Sequence, residues 1–271
     1  MQNTTGKIPT WQYHRFLDEV GDTTFYGKGK TPIIGTEGVS KSFILGMLKI
    51  NGPLDEVRSK VLDLQESISQ DKYFSPIASI NKRKGKGGYF LHAKDDPPEV
   101  RMLAYRLIAS LDCSFEAVVA RKDYSIFLRK HNGREAEMYA DLLSHLIGTE
   151  FLTHPKLVLN LAERSGCTTQ TNLDLGLSKA VHRFDQKKKE GEASGAVAFN
   201  VQIPTTEPLL NIADYFCWSL QRVWERGETR YYDFLQSQIS EVVDLFAPGG
   251  YQDSKNRYSP QHLLTEANCL K

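Results

Sequence analysis

Nine consecutive residues, Ser42–Ile50 (SFILGMLKI), form a mostly apolar run. A Gly-, Lys- and Thr-rich stretch precedes it over 23–40, and the turn residues Asn51-Gly52-Pro53 follow. A short apolar run between turn signals reads as a strand buried on at least one face. Other segments of strand character are Tyr13–Leu17, Phe115–Ala120, Lys156–Glu163 and Val197–Ile203, with a short one at Tyr89–His92. Between and after them lie stretches of helical character. Pro53 suits the first turn of a helix carrying Leu54, Val57, Val61, Leu64 and Ile68. A second helix follows Asp95-Asp96-Pro97-Pro98, with Leu103, Leu107 and Leu111 along one face. Further helices are predicted over 134–151, with Met138, Leu142, His145 and Leu146 on one side, and over 173–189, 208–226 and 231–246. Strands cluster early and alternate with helices later, which predicts an α/β chain built on a mixed sheet flanked by helices. With 271 residues and no separating linker, it reads as one domain, 1–271, with an insertion at about 53–112.

Charge excludes a global pull toward nucleic acid or membrane. Lys and Arg number 34 against 33 Asp and Glu, so any attraction must be local. No stretch reaches the ~18 apolar residues that cross a bilayer. The cysteines Cys113, Cys167, Cys217 and Cys269 are widely spaced and form no Cys-x-x-Cys, which points to free thiols in a reducing cytosol. The polar residues 1–10 lack the apolar core of a signal peptide. The expectation is a cytoplasmic protein.

The candidate chemistry lies in acids at the ends of apolar segments. In Phe16-Leu17-Asp18-Glu19-Val20-Gly21-Asp22, Asp18 and Glu19 are predicted where a buried strand gives way to a turn. Capping of a hairpin by Asp18 and Asp22 is the plainer alternative. Asp214 falls on one helical face with Leu210, Cys217, Trp218 and Gln221. A carboxylate in such company is costly unless a cation or a backbone group meets it. Glu163 closes the strand KLVLNLAE before a turn, much as Asp18 does, with Arg164 beside it as an alternative partner. Carboxylate oxygens suit a hard ion, Mg²⁺ or Mn²⁺, more than zinc. His92 stands in a polar cluster as a proton shuttle, a ligand or a structural side chain. Asp95 and Asp96 fit helix capping. Lys82, Arg83, Lys84 and Lys86 form a basic, flexible loop able to track a phosphate backbone or simply to be solvated. TFYGKGKT (24–31) fails the phosphate-loop pattern, since Thr24 stands where the first Gly is required.

The motifs FLDEVGDTTF, SFILGMLKI and NIADYFCWSLQRVWERGETRYYDFL, with FLHAKDDPPEVR between them, resemble a large bacterial group known as domain of unknown function 3800. The resemblance covers roughly residues 11–265. Its members open with Asp-Glu-Ser-Gly-Asp and close with a helix reading Leu-Gln-Ile-Ala-Asp followed by aromatics. Here Val20 replaces the Ser, and Leu210-Asn211 replaces Leu-Gln; no acid is lost. The resemblance implies a ribonuclease H-like fold, a mixed sheet of five strands or slightly more with its first strand central and a helical insertion. It implies acids on strand one (Asp18), on strand four (Glu163) and on the last helix (Asp214), with Glu19 matched and His92 in the middle motif. The activity it implies is that of a metal-dependent nuclease acting on DNA or RNA. The alternative is a catalytically silent interaction module of a bacterial defence or mobile-element system.

Overall fold

The computed structural model describes residues 13–84, 88–148, 156–164, 168–184, 196–249 and 253–270. Seven strands form one mixed sheet in the order β5-β4-β1-β2-β3-β6-β7. They are β1 (His14–Gly21), β2 (Ser42–Ile50), β3 (Cys113–Arg121), β4 (Lys156–Ala162), β5 (Ala196–Gln202), β6 (Ile239–Asp244) and β7 (Arg257–Tyr258). The first three run antiparallel to their neighbours as a meander, whereas β4 lies parallel to β1, and β5 parallel to β4. On the far side, β6 is parallel to β3 and β7 antiparallel to β6. The α/β class and the mixed sheet flanked by helices are as the sequence predicts.

Alternation along the strands divides the core into two layers. Phe16, Ile44, Leu48, Phe115 and Val119 face one layer, and Leu17, Phe43, Leu45, Met47 and Val118 face the other. The first layer is covered by α1 (Leu54–Gln70), α3 (Pro98–Ala109), α7 (Leu209–Arg226) and α8 (Arg230–Leu235), with α2 (Ala78–Lys84) contributing Ile80. The second is covered by α4 (Tyr124–His131), α5 (Glu135–Ile147) and α6 (Gln170–Phe184). Helix α7 lies directly over β1 and β2 with its apolar residues buried, while Asp214, Gln221, Arg222, Glu225 and Arg226 are left partly or fully uncovered. Gly46 makes that approach feasible. A Cβ there would sit 2.1 Å from Phe115 Cζ and 2.7 Å from Cys217 Sγ.

Several predicted elements are corrected. β1 continues through Asp18 and Glu19 to Gly21, because these residues pair with Gly46, Leu45 and Phe43 of β2. Tyr89–His92 forms no strand; it lies as irregular chain ahead of a turn in which His92 O accepts from the N–H groups of Asp95 and Asp96. Residues 82–84 belong to α2 rather than to a loop. The buried face of α3 is Val100, Ala104, Tyr105 and Ile108, with Leu103 and Leu107 only partly covered. The helix α4, capped by Asp123 through an Ile126 N–H at 2.9 Å, was not predicted. The predicted helix over 231–246 is a six-residue α8 followed by strand β6, whose Ile239, Val242 and Val243 are buried. Among the described residues no helix is long and apolar enough to cross a membrane. Cys113, Cys217 and Cys269 are free thiols, and Cys167 lies outside the described residues.

Candidate functional site

β1 and β4 run parallel and stop pairing at Leu17 and Leu161. Beyond that point the strands separate, and a cleft of about 210 Å³ opens at their carboxyl ends. Crevices outside the carboxyl ends of parallel strands are where open α/β sheets bind ligands. Asp18, Glu19, His92, Glu163 and Asp214 all line this cleft. Five residues singled out in the sequence, from four separate stretches of chain, thus meet in one place.

Asp18 shares the face of β1 that carries Phe16, so its side chain turns toward α7. One Asp18 oxygen accepts the Glu19 N–H at 2.8 Å. Burial first, then the charges of Asp214 and Glu19, push the Asp18 carboxyl well above the usual carboxylate range. Asp214 is also raised by burial; His92 and the Ala93 N–H work against that, and Asp96 and Asp95 add to it. The Ala93 N–H donates to Asp214 Oδ2 at 2.7 Å. The backbone-bonded alternative for Asp214 therefore holds together with its nearness to Asp18. Two buried acids that oppose each other's ionisation are a place where a cation is favoured.

Glu19 points the other way. Burial pushes its carboxyl up to about 7, against the opposing pull of Arg164. Arg164 Nη1 lies 3.4 Å from Glu19 Oε1, and the same guanidinium donates to Gly21 O and lies over the Phe43 ring. Arg164 therefore serves Glu19 rather than its chain neighbour Glu163. The Glu163 side chain is exposed at the cleft rim, and its N–H holds the main chain to Gln202 O at 2.8 Å. Among the described residues no group of three or more His, Cys, Asp or Glu side chains is drawn together as a ready-made metal cage.

His92 is half-exposed, with Nδ1 3.2 Å from Asp95 Oδ2. Its loop is held by Asp96, for which capping was the expectation. α3 begins at Pro98 with no side-chain cap, and Asp96 is a buried hub instead. It accepts from Arg83 Nη2 at 2.5 Å, Tyr89 Oη at 2.7 Å, the His92 N–H at 2.8 Å and Tyr215 Oη at 2.6 Å. Tyr215 follows Asp214 on α7, so one carboxylate fixes the loop, α2 and the acid-bearing helix together.

That hub corrects the basic segment. Arg83 is buried against Asp96 and also donates to Phe90 O at 3.0 Å. Lys84 is tied to Ser69 O, Lys82 is exposed, and Lys86 lies outside the described residues. A grip on phosphates through Arg83 is incompatible with its burial. Sequence reasoning set Arg164 beside Glu163 rather than Glu19 and missed the Ala93 N–H; a main-chain donor has no side-chain signature to find. Compared with known proteins, the chain matches no family model and no curated relative.

Proposed function

We propose that the protein is a metal-dependent nuclease that hydrolyses nucleic-acid phosphodiester bonds, built on a ribonuclease H-like sheet and working in the cytoplasm. The observation that carries this reading is the shared cleft of Asp18, on the first strand, and Asp214, on the last long helix. The order β5-β4-β1-β2-β3, with a meander followed by two parallel strands beside β1, supports it, and so does Glu163 just past the fourth strand. The donor set fits the ion: every carboxylate offered is a hard oxygen ligand. Asp18 and Asp214 would hold Mg²⁺ or Mn²⁺, with Glu163 at the rim as a further donor. Such an ion, when bound, supplies an activated water and stabilises the leaving oxygen.

The chain's own groups do the remaining work. The Ala93 N–H orients the Asp214 carboxylate, and Arg164 holds Glu19 in place. Glu19, raised to about 7, is able to carry a proton near neutral pH, and His92 lines the mouth beside it. In the hydrolysis, water oxygen joins phosphorus and the P–O bond to the leaving sugar oxygen breaks. One water proton passes to a base at the site, and the leaving oxygen takes up a proton.

A Mn²⁺ titration followed by thermal melting, with cleavage of a labelled oligonucleotide, tests the reading. Millimolar Mn²⁺ raises the melting temperature if the folded protein binds it. Asp18→Asn abolishes metal-dependent cutting without unfolding the protein. A pure Asp18→Asn sample that cuts at the wild-type rate refutes the role given to Asp18, and wild-type protein that neither binds Mn²⁺ nor cuts refutes the nuclease reading.

A further inference from the structure

A wider groove of about 1090 Å³ continues outward from Glu19, His92 and Asp214. It passes Lys94 and Arg101 and reaches the carboxyl end of α7, where Arg222, Arg226 and Arg230 gather. Its volume exceeds the ~300–1,000 Å³ that holds a drug-sized ligand, so it suits a segment of an extended chain.

The acids along this groove are already engaged. Asp22 receives Lys122 Nζ at 2.7 Å, and Glu225 receives the N–H groups of Lys41 and Ser42 at 2.9 and 2.8 Å. Glu228 takes both Arg222 and Arg230. The other cations are not neutralised. Among the described residues Lys94 and Arg226 form no ion pair, and both are exposed. Arg101 Nη1 donates to Ala93 O at 2.9 Å, its guanidinium lies 4.9 Å from the Trp218 ring centroid, and its buried Nε has no partner. A guanidinium held by a carbonyl and a ring, rather than by a carboxylate, keeps its charge available to an incoming anion. Ala93 also donates to Asp214, so Arg101 is braced on the residue that orients the acid.

We propose that this groove takes the phosphate backbone of a single nucleic-acid strand and leads it to the acid cleft, with Lys94, Arg101 and Arg226 as the phosphate contacts. The inference rests on the reading of the acid cleft as a phosphodiester-cutting site. Cations spread along a channel match a polyanion whose charges recur, whereas a small anion needs a single cluster. The contacts are to phosphate, which DNA and RNA share.

The test is fluorescence anisotropy in EDTA, where binding is separated from cutting. The probes are labelled single-stranded DNA and RNA of about twelve nucleotides, within the ~4–16 typical of strand-binding grooves, and a duplex of the same sequence. Wild-type protein is expected to bind both single strands more tightly than the duplex. A Lys94→Ala/Arg226→Ala protein is expected to bind about tenfold or more weakly. Its slope of log K against log salt is expected to shrink by about 1.4, at ~0.7 for each phosphate that is no longer neutralised. The Lys94→Arg/Arg226→Lys exchange, which keeps both charges, is expected to bind as wild type. The alanine positions are exposed, and melting temperature confirms their folding. No binding by wild type, preference for the duplex, or an unchanged slope in the double alanine protein each overturns the groove assignment. Assays with Mn²⁺ separate the two readings: if wild-type protein neither takes up the ion nor cuts the probes, the nuclease reading falls while the groove result stands on its own binding data.

Discussion

The Cys217 thiol donates to the Asp18 main-chain carbonyl at 3.2 Å, fixing α7 against the acid-bearing strand. The thiol stays protonated because burial, then Asp18, Asp214 and Glu19, hold its pKa well above the ordinary range. This contact needs the space left by Gly46.

Gly46→Ala tests that dependence. The added methyl meets Phe115 and Cys217 at 2.1 and 2.7 Å, so α7 must shift outward. The expected cost is about 1–3 kcal/mol, as for other overpacked cores, read from urea unfolding. Because α7 carries Asp214, any cleavage activity falls more than stability alone accounts for. Wild-type stability would show that the helix is not held this closely.

Asp96→Asn addresses the hub beneath the His92 loop. The substitution leaves the Arg83 guanidinium buried without its carboxylate, at a cost of about 3–5 kcal/mol. Chemical denaturation measures it. A loss below about 1 kcal/mol would mean that the tyrosines and water meet Arg83 well enough without the charge, as in weak exposed pairs.

Much of this was legible in the sequence, and the failures have identifiable causes. β2 has the predicted bounds, since Ser42–Ile50 sits between unmistakable turn residues. The strand β6 was lost inside a predicted helix because six residues with only three apolar positions, Ile239, Val242 and Val243, are too few to separate a period of 2 from one of 3.6. The acids were visible because apolar neighbours make a carboxylate conspicuous. The partners of those acids were not, since Arg164 meets Glu19 and the Ala93 N–H meets Asp214 across stretches that only the folded chain brings together.

Acid sensitivity follows from Asp141 on α5, on the face away from the cleft. Burial alone would raise this carboxyl, but bonds from His131 and Lys130 hold it well below the ordinary range. Nearby His145 is held down to about 3, by burial first and then by Arg183, against the pull of Asp141. Its folded pKa is lower than its unfolded one, so the unfolded chain takes the proton first and stability falls as pH drops below about 6.5. Between pH 6.5 and 4 this histidine alone accounts for about 3 kcal/mol. Urea melts at pH 7 and pH 4 read the loss, and His145→Gln removes this share of the slope. The Asp141 share begins only below about pH 4, where the unfolded carboxyl protonates. An unchanged slope in His145→Gln would refute the assignment.

The stretch between β2 and β3 has a bearing on any attempt to pare the protein down. It supplies the Ala93 N–H to Asp214 and the Asp96 carboxylate to Tyr215, both on α7. A version trimmed of residues 53–112 would keep all four cleft acids in its covalent sequence yet strip one of its donor and orphan a buried phenol beside it. The smallest working unit therefore includes those helices, and mutational economy stops short of the bare sheet.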